Sequence, residues 1–220
     1  MITKNILGWI LLSLVSSQAL SAQDVNRFED EILAFEEADR LNPPQKHGIL
    51  FLGSSSIKLW ETLEQDFAGY PVLNRGFGGS QCSDAIHFFD RIVTPYHPDK
   101  IAFYEGDNDL ANGMSPEDVL ADFKIFMEKI NDLDSKIKVA FIAIKPSPAR
   151  WNLAEVMKTA NQMIKDYCES HAQLTFVDIF SPMLNAYHKP QADLYVKDQL
   201  HMNAKGYDIW KTALEPFVNE

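Results

Sequence analysis

Five short apolar segments, rich in isoleucine, valine and phenylalanine, recur along this sequence, and amphipathic segments separate them. The apolar segments span residues 48–52, 71–77, 100–104, 138–144 and 174–180. Continuous apolar runs of this kind are typical of parallel strands that are covered on both faces. Strands that alternate with helices predict a three-layer α/β sandwich around a five-stranded parallel sheet.

The amphipathic segments predict the helices of this sandwich. The first covers residues 24–42 and ends before Pro43 and Pro44, because proline cannot continue the hydrogen-bond pattern. Its apolar face consists of Val25, Phe28, Ile32 and Phe35. Later helices are predicted at 115–133, 152–171 and 203–217, the first capped by Ser115 and the last ending near Pro216.

Residues 1–22 have the order of a secretory signal peptide. Lys4 precedes an apolar core of about ten residues, and small residues follow as far as Ala22. The alternative is a single membrane anchor, but the core falls short of the ~20 residues that cross a bilayer. We therefore expect an exported protein, periplasmic or secreted, with cleavage after Ala22 or, as second choice, Ala19. Residues 23–220 are predicted to form a single domain without a further membrane span.

Charge and cysteine content narrow the class of partner. The formal net charge is −11, and removal of Lys4 with the signal peptide makes it −12. Nucleic acid or an anionic membrane surface requires a basic patch, so neither is an expected partner. Cys82 and Cys168 are too few for a disulfide scaffold, and both a single disulfide and two separate thiols remain open.

Polar segments follow the predicted strands where a ligand site is expected. In parallel α/β sheets, ligands bind outside the carboxyl ends of the strands. The segments are GSSS (53–56), NRGFGGSQ (74–81), EGDNDL (105–110) and, after the fifth strand, DQLHMNAKGY (198–207). Together they supply a hydroxyl, a glycine turn, a side-chain amide, a carboxylate and an imidazole. These groups are the nucleophile, oxyanion donors, base and base-orienting acid of serine acyl transfer.

Each segment also has a simpler interpretation. A serine-rich turn commonly caps a helix, three close glycines usually form only a tight turn, and DNDL lacks the spacing of a calcium loop. Asp84 and His87 have the same spacing as Asp198 and His201. They fall on the predicted helix after the second strand, where residues three apart are ordinary neighbours. We interpret Asp84 and His87 as structural and His201 as the candidate base.

The four segments, in their order, resemble the sequence blocks of the SGNH hydrolases, also called the GDSL esterase and lipase family. Gly53-Ser54-Ser55 stands where that family usually has Gly-Asp-Ser, so the resemblance makes Ser55 the nucleophile. Ser54 replaces the usual aspartate. A serine can still accept a backbone N–H bond at the start of the following helix, but it brings no charge there.

The resemblance also assigns the other site residues and the fold. Asp198 and His201 match the Asp-x-x-His block, Gly79 matches the block-two glycine, and Asn108 lies in the Gly-x-Asn-Asp block. The implied oxyanion donors are the N–H groups of Ser55 and Gly79 and the amide of Asn108. The family fold is a flavodoxin-like sandwich of five parallel strands, and its chemistry requires no metal or organic cofactor.

The expected reaction is hydrolysis of short-acyl carboxylic esters, acetyl first, on a glycan or another small polar alcohol. The loops at the sheet edge are polar, and no segment is long enough to form an apolar lid. Alternatives are a thioesterase or lysophospholipase on the same triad, and a non-catalytic module that binds phosphate or a sugar in the serine turn. Arg150 and Trp151 follow the fourth strand and are candidate substrate contacts; equally, the proline and tryptophan could simply pack their own loop.

Overall fold

The computed structural model describes residues 26–220. The predicted signal peptide and Val25 of the first helical face lie outside this range. Within the described residues, no helix has the length and apolar character needed to cross a membrane.

Five parallel strands form one sheet, in the order β2-β1-β3-β4-β5. The strands are β1 (Ile49–Gly53), β2 (Val72–Gly76), β3 (Lys100–Tyr104), β4 (Lys138–Ile142) and β5 (Leu174–Val177). β1 is buried along its whole length, as the apolar sequence requires of a central strand covered on both faces. The predicted flavodoxin-like α/β/α sandwich is confirmed.

Nine α-helices lie in the described part of the chain. They are α1 (Glu29–Leu41), α2 (Ser55–Lys58), α3 (Leu63–Asp66), α4 (Cys82–His87), α5 (Phe89–Ile92), α6 (Asp107–Ala111), α7 (Pro116–Asp134), α8 (Ala154–Glu169) and α9 (Ala204–Asn219). Short 3₁₀ helices cover Thr94–Tyr96, Pro148–Leu153, Ser181–Met183 and Ala192–Leu194. Ser115 caps α7 as predicted, because its hydroxyl oxygen accepts the N–H of Asp118 at 3.2 Å.

Helices cover both faces of the sheet. On one face α7 packs against α4 and α8. On the other face, Trp60 follows α2 and its ring meets Tyr207 and Trp210 of α9, at centroid distances of 5.2 and 6.0 Å. This arrangement buries the apolar faces of the strands and leaves their carboxyl ends to the loops.

β4 ends two residues earlier than the apolar run 138–144 predicts. The side chain of Asn161, on α8, takes the place of a neighbouring strand at Ile144. Its Oδ1 accepts the Ile144 N–H at 2.8 Å, and its Nδ2 donates to the Ile144 carbonyl at 3.0 Å. Ala143 and Ile144 are therefore buried with the rest of the apolar run, although the strand β4 ends at Ile142.

The predicted end of the last helix near Pro216 is wrong, because α9 continues to Asn219. Proline removes one helical hydrogen bond, but Phe217 and Val218 are buried and keep the last turn on the core. The ammonium group of Lys100 donates to the carbonyls of Phe217 and Val218 at 2.9 and 3.0 Å. These bonds satisfy carbonyl groups that a helix end leaves without partners.

The two cysteines are separate. Cys82 and Cys168 are both free and buried, so the structure favours two thiols over a disulfide. Burial raises the pKa of Cys168 to about 12 and also raises that of Cys82 well above its usual value. Neither thiol is therefore an activated nucleophile at neutral pH.

Candidate active site

The strand order places the site at the point where the chain changes direction across the sheet. β1 lies between β2 and β3, and Gly53 at its end is in register with Gly76 and Tyr104. In sheets of this order the ligand crevice lies outside the carboxyl ends of β1 and β3. The segments that follow these two strands are GSSS and EGDNDL, two of the four that the sequence marked.

Gly53 lets the serine turn lie directly against β3. A Cβ atom at this position would come within 2.1 Å of the Tyr104 carbonyl oxygen, so no larger residue fits. α2 then begins at Ser55, whose side chain is partly exposed at the sheet edge. Ser54 occupies the capping position but accepts no helix-capping hydrogen bond. The expected capping role of the Ser54 hydroxyl is therefore not realised.

Ser55, His201 and Asp198 form one continuous hydrogen-bond chain. His201 Nε2 lies 2.9 Å from Ser55 Oγ, although 146 residues separate the two in sequence. On the other side of the ring, His201 Nδ1 lies 2.6 Å from Asp198 Oδ2. Asp198 Oδ1 also accepts the backbone N–H groups of Leu200 and His201, both at 2.9 Å.

The charge of Asp198 fixes the proton positions on the imidazole. The hydrogen bond from the His201 side chain, followed by those from the backbone N–H groups of His201 and Leu200, lowers the pKa of Asp198 to about 2. An ionised carboxylate only accepts hydrogen bonds, so the proton of a neutral His201 ring lies on Nδ1. Nε2 is then an acceptor for the Ser55 hydroxyl hydrogen.

A tight loop holds the acid and the imidazole together. Tyr195 and Met202 form an antiparallel bridge, and the N–H of Val196 donates to the His201 carbonyl at 2.8 Å. Gln199 takes a left-handed conformation with φ +58° at the turn between Asp198 and His201. The Ala149 N–H donates to the Gln199 carbonyl at 3.0 Å, which ties this loop to the segment after β4.

The three predicted oxyanion donors are the backbone N–H groups of Ser55 and Gly79 and the side-chain amide of Asn108. Gly79 has φ +86°, a conformation that glycine adopts without strain. Within residues 26–220, the backbone N–H groups of Ser55 and Gly79 donate no hydrogen bond to another residue. Asn108 Nδ2 donates to the Ser80 carbonyl at 2.9 Å, which joins the loop after β3 to the loop after β2. The predicted donors therefore lie in loops that contact each other.

The sequence model of the GDSL-like lipase/acylhydrolase family matches residues 52–209 of the chain. The match covers well over half of the sequence and includes every predicted site residue. The chain belongs to this family. It is therefore an SGNH-type ester hydrolase, as expected, and the family match favours this interpretation over the alternative of a non-catalytic binding module. No curated protein sequence matches the chain.

Solved structures share the fold of this hydrolase at low sequence identity. A GDSL-like lipase from Bacteroides thetaiotaomicron VPI-5482 is 21% identical with a TM-score of 0.71, over 89% of this chain and 97% of that one. A candidate acylhydrolase from Bacteroides fragilis NCTC 9343 is 20% identical with a TM-score of 0.72, covering 90% and 98%. A carbohydrate esterase family 3 protein from Talaromyces cellulolyticus is 17% identical with a TM-score of 0.61, covering 78% and 95%.

The hydrolase has a buried charged cluster beside Asn108 that the sequence did not predict. Asp107 Oδ2 accepts the ammonium group of Lys145 at 2.5 Å, and Asp107 Oδ1 accepts Arg150 Nη1 at 2.7 Å. Although burial opposes ionisation, the charges of Lys145 and Arg150 hold the pKa of Asp107 below its usual value. A cue was present in the sequence, because Lys145 directly follows a run of six apolar residues, 139–144.

Glu105 and Asp109 are two further buried acids that the sequence did not single out. Asp109 accepts the N–H groups of Cys82 and Gly106, both at 3.0 Å, and burial raises its pKa to about 6. Glu105 Oε1 lies 2.6 Å from Ser80 Oγ, while Oε2 has no partner among the described residues. Burial, with the charge of Asp109, raises the pKa of Glu105 well above its usual value. Both acids tie the segment after β3, which contains Asn108, to the segment after β2, which contains Gly79.

The two candidate substrate contacts, Arg150 and Trp151, have different surroundings in the structure. Arg150 directs both terminal nitrogens to protein oxygens, Nη1 to Asp107 and Nη2 to Asn108. Trp151 stacks on Phe180 at a centroid distance of 6.4 Å, and the ammonium group of Lys189 lies 5.3 Å from its ring centroid. Contact of Arg150 or Trp151 with substrate stays a prediction.

The rival pair Asp84 and His87 is separated on α4. The Asp84 carboxylate accepts the Gln81 backbone N–H at 2.9 Å and pairs with Arg27. His87 is exposed on the surface of the helix and contacts the ring of Phe88. Residues 26–220 contain no group of three or more His, Cys, Asp or Glu side chains that could hold a metal ion.

Proposed function

We propose that this hydrolase cleaves short-acyl carboxylic esters through a triad of Ser55, His201 and Asp198. The observation that supports the proposal is the position of the His201 ring, 2.9 Å from the Ser55 hydroxyl and 2.6 Å from the Asp198 carboxylate. A hydroxyl that donates to an imidazole, itself oriented by an acid, is the arrangement that activates a serine nucleophile.

The proposed mechanism uses each of these groups once in every half-reaction. His201 Nε2 takes the Ser55 proton as Ser55 Oγ attacks the ester carbonyl carbon. The negative charge on the carbonyl oxygen is held by the N–H groups of Ser55 and Gly79 and by the Asn108 amide. His201 then gives its proton to the departing alcohol. A water molecule hydrolyses the acyl-enzyme by the same sequence of proton transfers, and Asp198 stabilises the charged imidazole throughout.

The surroundings of the oxyanion donors support a short acyl group. The groups next to Asn108 are polar or charged, namely the backbone carbonyl of Ser80 and the side chains of Asp107 and Arg150. A long acyl chain is held by about 0.8 kcal/mol for each methylene that it buries against apolar groups. These side chains offer little of that stabilisation, so acetyl and other short groups are the proposed acyl part.

A cleft on the other side of His201 supports a polar alcohol part. It has a volume of about 430 Å³ and combines apolar walls with hydrogen-bonding groups. Its lining includes Leu59, Thr62, Asn203 and Tyr207 as well as Asp198 and His201. Because His201 protonates the leaving group, the alcohol part of the ester must lie near this ring. A sugar ring matches this mixed lining, and one structural neighbour bears the name of a carbohydrate esterase.

Labelling with a fluorophosphonate tests the nucleophile, because the reagent reacts only with an activated serine. We expect the wild-type protein to be labelled at Ser55 and to hydrolyse p-nitrophenyl acetate, and the Ser55→Ala variant to do neither. Ser56→Ala is a matched control, because Ser56 Oγ is buried without a hydrogen-bond partner among the described residues. Labelling of the Ser55→Ala protein at another serine would contradict the proposed nucleophile.

A series of p-nitrophenyl esters from acetate to palmitate tests the acyl group. We expect kcat/KM to be highest at acetate and to fall as the chain lengthens. A steady rise beyond about eight carbons, the trend produced by methylene burial, would favour a lysophospholipase. A preference for acetyl thioesters over acetyl esters of the same leaving-group acidity would favour a thioesterase. The glycan part of the substrate is tested by measuring acetate release from an acetylated oligosaccharide, with the deacetylated product as the control.

We also propose that the hydrolase is exported by its amino-terminal segment. The apolar core between Lys4 and the small residues before Gln23 supports this proposal. Amino-terminal sequencing of the full chain after expression in a Gram-negative host should give Gln23 in the periplasmic fraction. Recovery of the uncleaved chain in the membrane fraction would instead indicate an anchor.

A further inference from the structure

The amide of Asn108 is held at both of its ends. Its Nδ2 donates to the Ser80 carbonyl at 2.9 Å, and its Oδ1 accepts Arg150 Nη2 at 3.0 Å. A guanidinium group only donates and a carbonyl only accepts, so these two partners fix which end is oxygen and which is nitrogen. The second hydrogen of Nδ2 is then left for a substrate oxygen.

Arg150 is itself fixed by buried charge. Its Nη1 donates to Asp107 Oδ1 at 2.7 Å, while Lys145 holds the other oxygen of the same carboxylate. Lys145 and Asp107 are both buried, so this pair cannot exchange its partners for water. The Arg150 N–H also donates to the Ser147 hydroxyl at 3.3 Å, which anchors the backbone of the turn.

We propose that Arg150 is a positioning residue that acts on the reaction through Asn108. One guanidinium group bridges the buried Asp107 and the Asn108 amide, so the Lys145–Asp107 pair fixes the direction of the amide nitrogen. Pre-oriented donors stabilise an oxyanion because they need not reorganise during the reaction. This inference rests on the proposed function, since it assigns Arg150 to the oxyanion site of that reaction.

The geometry explains why an arginine is required. The planar fork of a guanidinium group presents two nitrogens that can contact two acceptors at once, whereas a lysine offers a single nitrogen. Arg150 lies in the 3₁₀ segment Pro148–Leu153 at a residue with non-helical backbone, φ −117° and ψ 20°. The turn is also bonded to the His201 loop through Ala149 and Gln199, so it lies between the two halves of the site.

A double-mutant cycle with Arg150→Met and Asn108→Ala tests the proposal. We expect Arg150→Met alone to lower kcat for p-nitrophenyl acetate by roughly tenfold or more with KM changed less than about twofold. In the Asn108→Ala background the same substitution should cause no further loss. Equal losses in both backgrounds, or an effect on KM alone, would mean that Arg150 contacts substrate directly and would overturn the proposal.

Two further variants separate position from charge and from folding. Arg150→Lys keeps the positive charge but not the two-nitrogen fork. We therefore expect its kcat to be lowered almost as much as that of Arg150→Met. Full activity in Arg150→Lys would show that charge alone matters and would overturn the proposal. Arg91→Met is the matched control, because Arg91 forms ion pairs with Glu29 and Glu36 away from the site. It should keep wild-type kcat and KM.

The side-chain amide signals of Asn108 give a readout that does not depend on activity. They are identified in a ¹H–¹⁵N spectrum by their absence from the Asn108→Ala protein. We expect Arg150→Met to shift both signals and Arg91→Met to leave them in place. Unchanged signals in Arg150→Met would overturn the proposal. If the wild-type protein hydrolyses no ester, the proposed function fails, but this spectrum still decides whether Arg150 holds Asn108.

Discussion

The proposed site has two halves, a proton-transfer half around Asp198 and an oxyanion half around Asp107, and each keeps its carboxylate charged in a different way. In the proton-transfer half, the Asp198 side chain is 47% exposed and that of His201 is 26% exposed. In the oxyanion half, Lys145 and Asp107 are only 2% and 4% exposed. The first half keeps its carboxylate charged through bonds from residues two and three positions away, while the second relies on an ion pair formed across the fold.

This difference matches what each half has to do. In the proposed mechanism the imidazole gains and loses a proton in each half-reaction, and the exposure of this pair lets it exchange protons with solvent. The oxyanion donors must keep one orientation, and buried charged groups with satisfied bonds resist reorientation. The comparison therefore predicts that substitutions in the proton-transfer half lower kcat without changing stability. Substitutions in the oxyanion half are expected to change kcat or the stability of the fold.

The largest expected effect is that of His201→Ala. Without a base the Ser55 proton has no acceptor, so we expect kcat to fall by about 10⁶-fold with the folded state unchanged. Hydrolysis of p-nitrophenyl acetate and the circular dichroism spectrum measure the two properties. His87→Ala, the control, should keep wild-type kcat. A large loss from His87→Ala in a folded protein would indicate that the wrong pair was assigned.

Asp198→Asn should have the next largest effect. The amide cannot stabilise the charged imidazole and favours the wrong tautomer, so we expect kcat to fall by about 10⁴-fold. Asp193→Asn is the control, because Asp193 is an exposed acid of the preceding turn that pairs with Lys205. If Asp198→Asn lost less than about tenfold, the imidazole would be oriented by the loop alone.

Asn108→Ala tests the oxyanion half. Removal of one donor should lower kcat by roughly 10²–10³ with little change in KM, because the oxyanion exists only along the reaction path. The exposed Asn112, at the end of α6, provides the control variant Asn112→Ala. A change confined to KM would assign Asn108 to ground-state binding instead.

Glu105→Gln should have the smallest effect, and on stability rather than on rate. Ser80 Oγ has one hydrogen, so it can donate either to Glu105 or to the Phe77 carbonyl but not to both. If Glu105 is protonated and donates to Ser80 Oγ, the Ser80 hydrogen remains for the Phe77 carbonyl, and both contacts are hydrogen bonds. The pKa of Glu105 in the folded protein lies above its usual 4.5, so the folded state holds the proton more tightly than the unfolded chain does.

The sign of the pH effect follows from that difference. As the pH rises above about 4.5, the unfolded chain releases the proton before the folded protein does, and wild-type stability declines. Glutamine keeps the contact with Ser80 without a proton to lose. We expect the Tm of Glu105→Gln to exceed that of wild type increasingly as the pH rises, as measured by thermal unfolding at several pH values. A gap that narrows with rising pH would contradict a protonated Glu105.

The sequence predicted the parts of the site that depend on local pattern. Apolar runs gave the strands, and the resemblance to the family marked Ser55, Asn108 and His201 in the segments after them. It did not predict the contact of Lys145 with Asp107, because 38 residues separate them and the sequence says nothing about the direction of either side chain. The end of α9 was missed for a similar reason, since its last carbonyls are bonded by Lys100, far away in sequence.

The burial of Lys145 also provides a way to detect local opening of the structure around this side chain. Reagents that acylate lysine amines modify exposed side chains in the native protein, but a side chain that is 2% exposed reacts only when the structure opens around it. Since its partner Asp107 also holds Arg150, covalent modification at Lys145 should record the moments when the support of Asn108 comes apart. Mass spectrometry of the peptide that contains this one residue would time those events without any substrate.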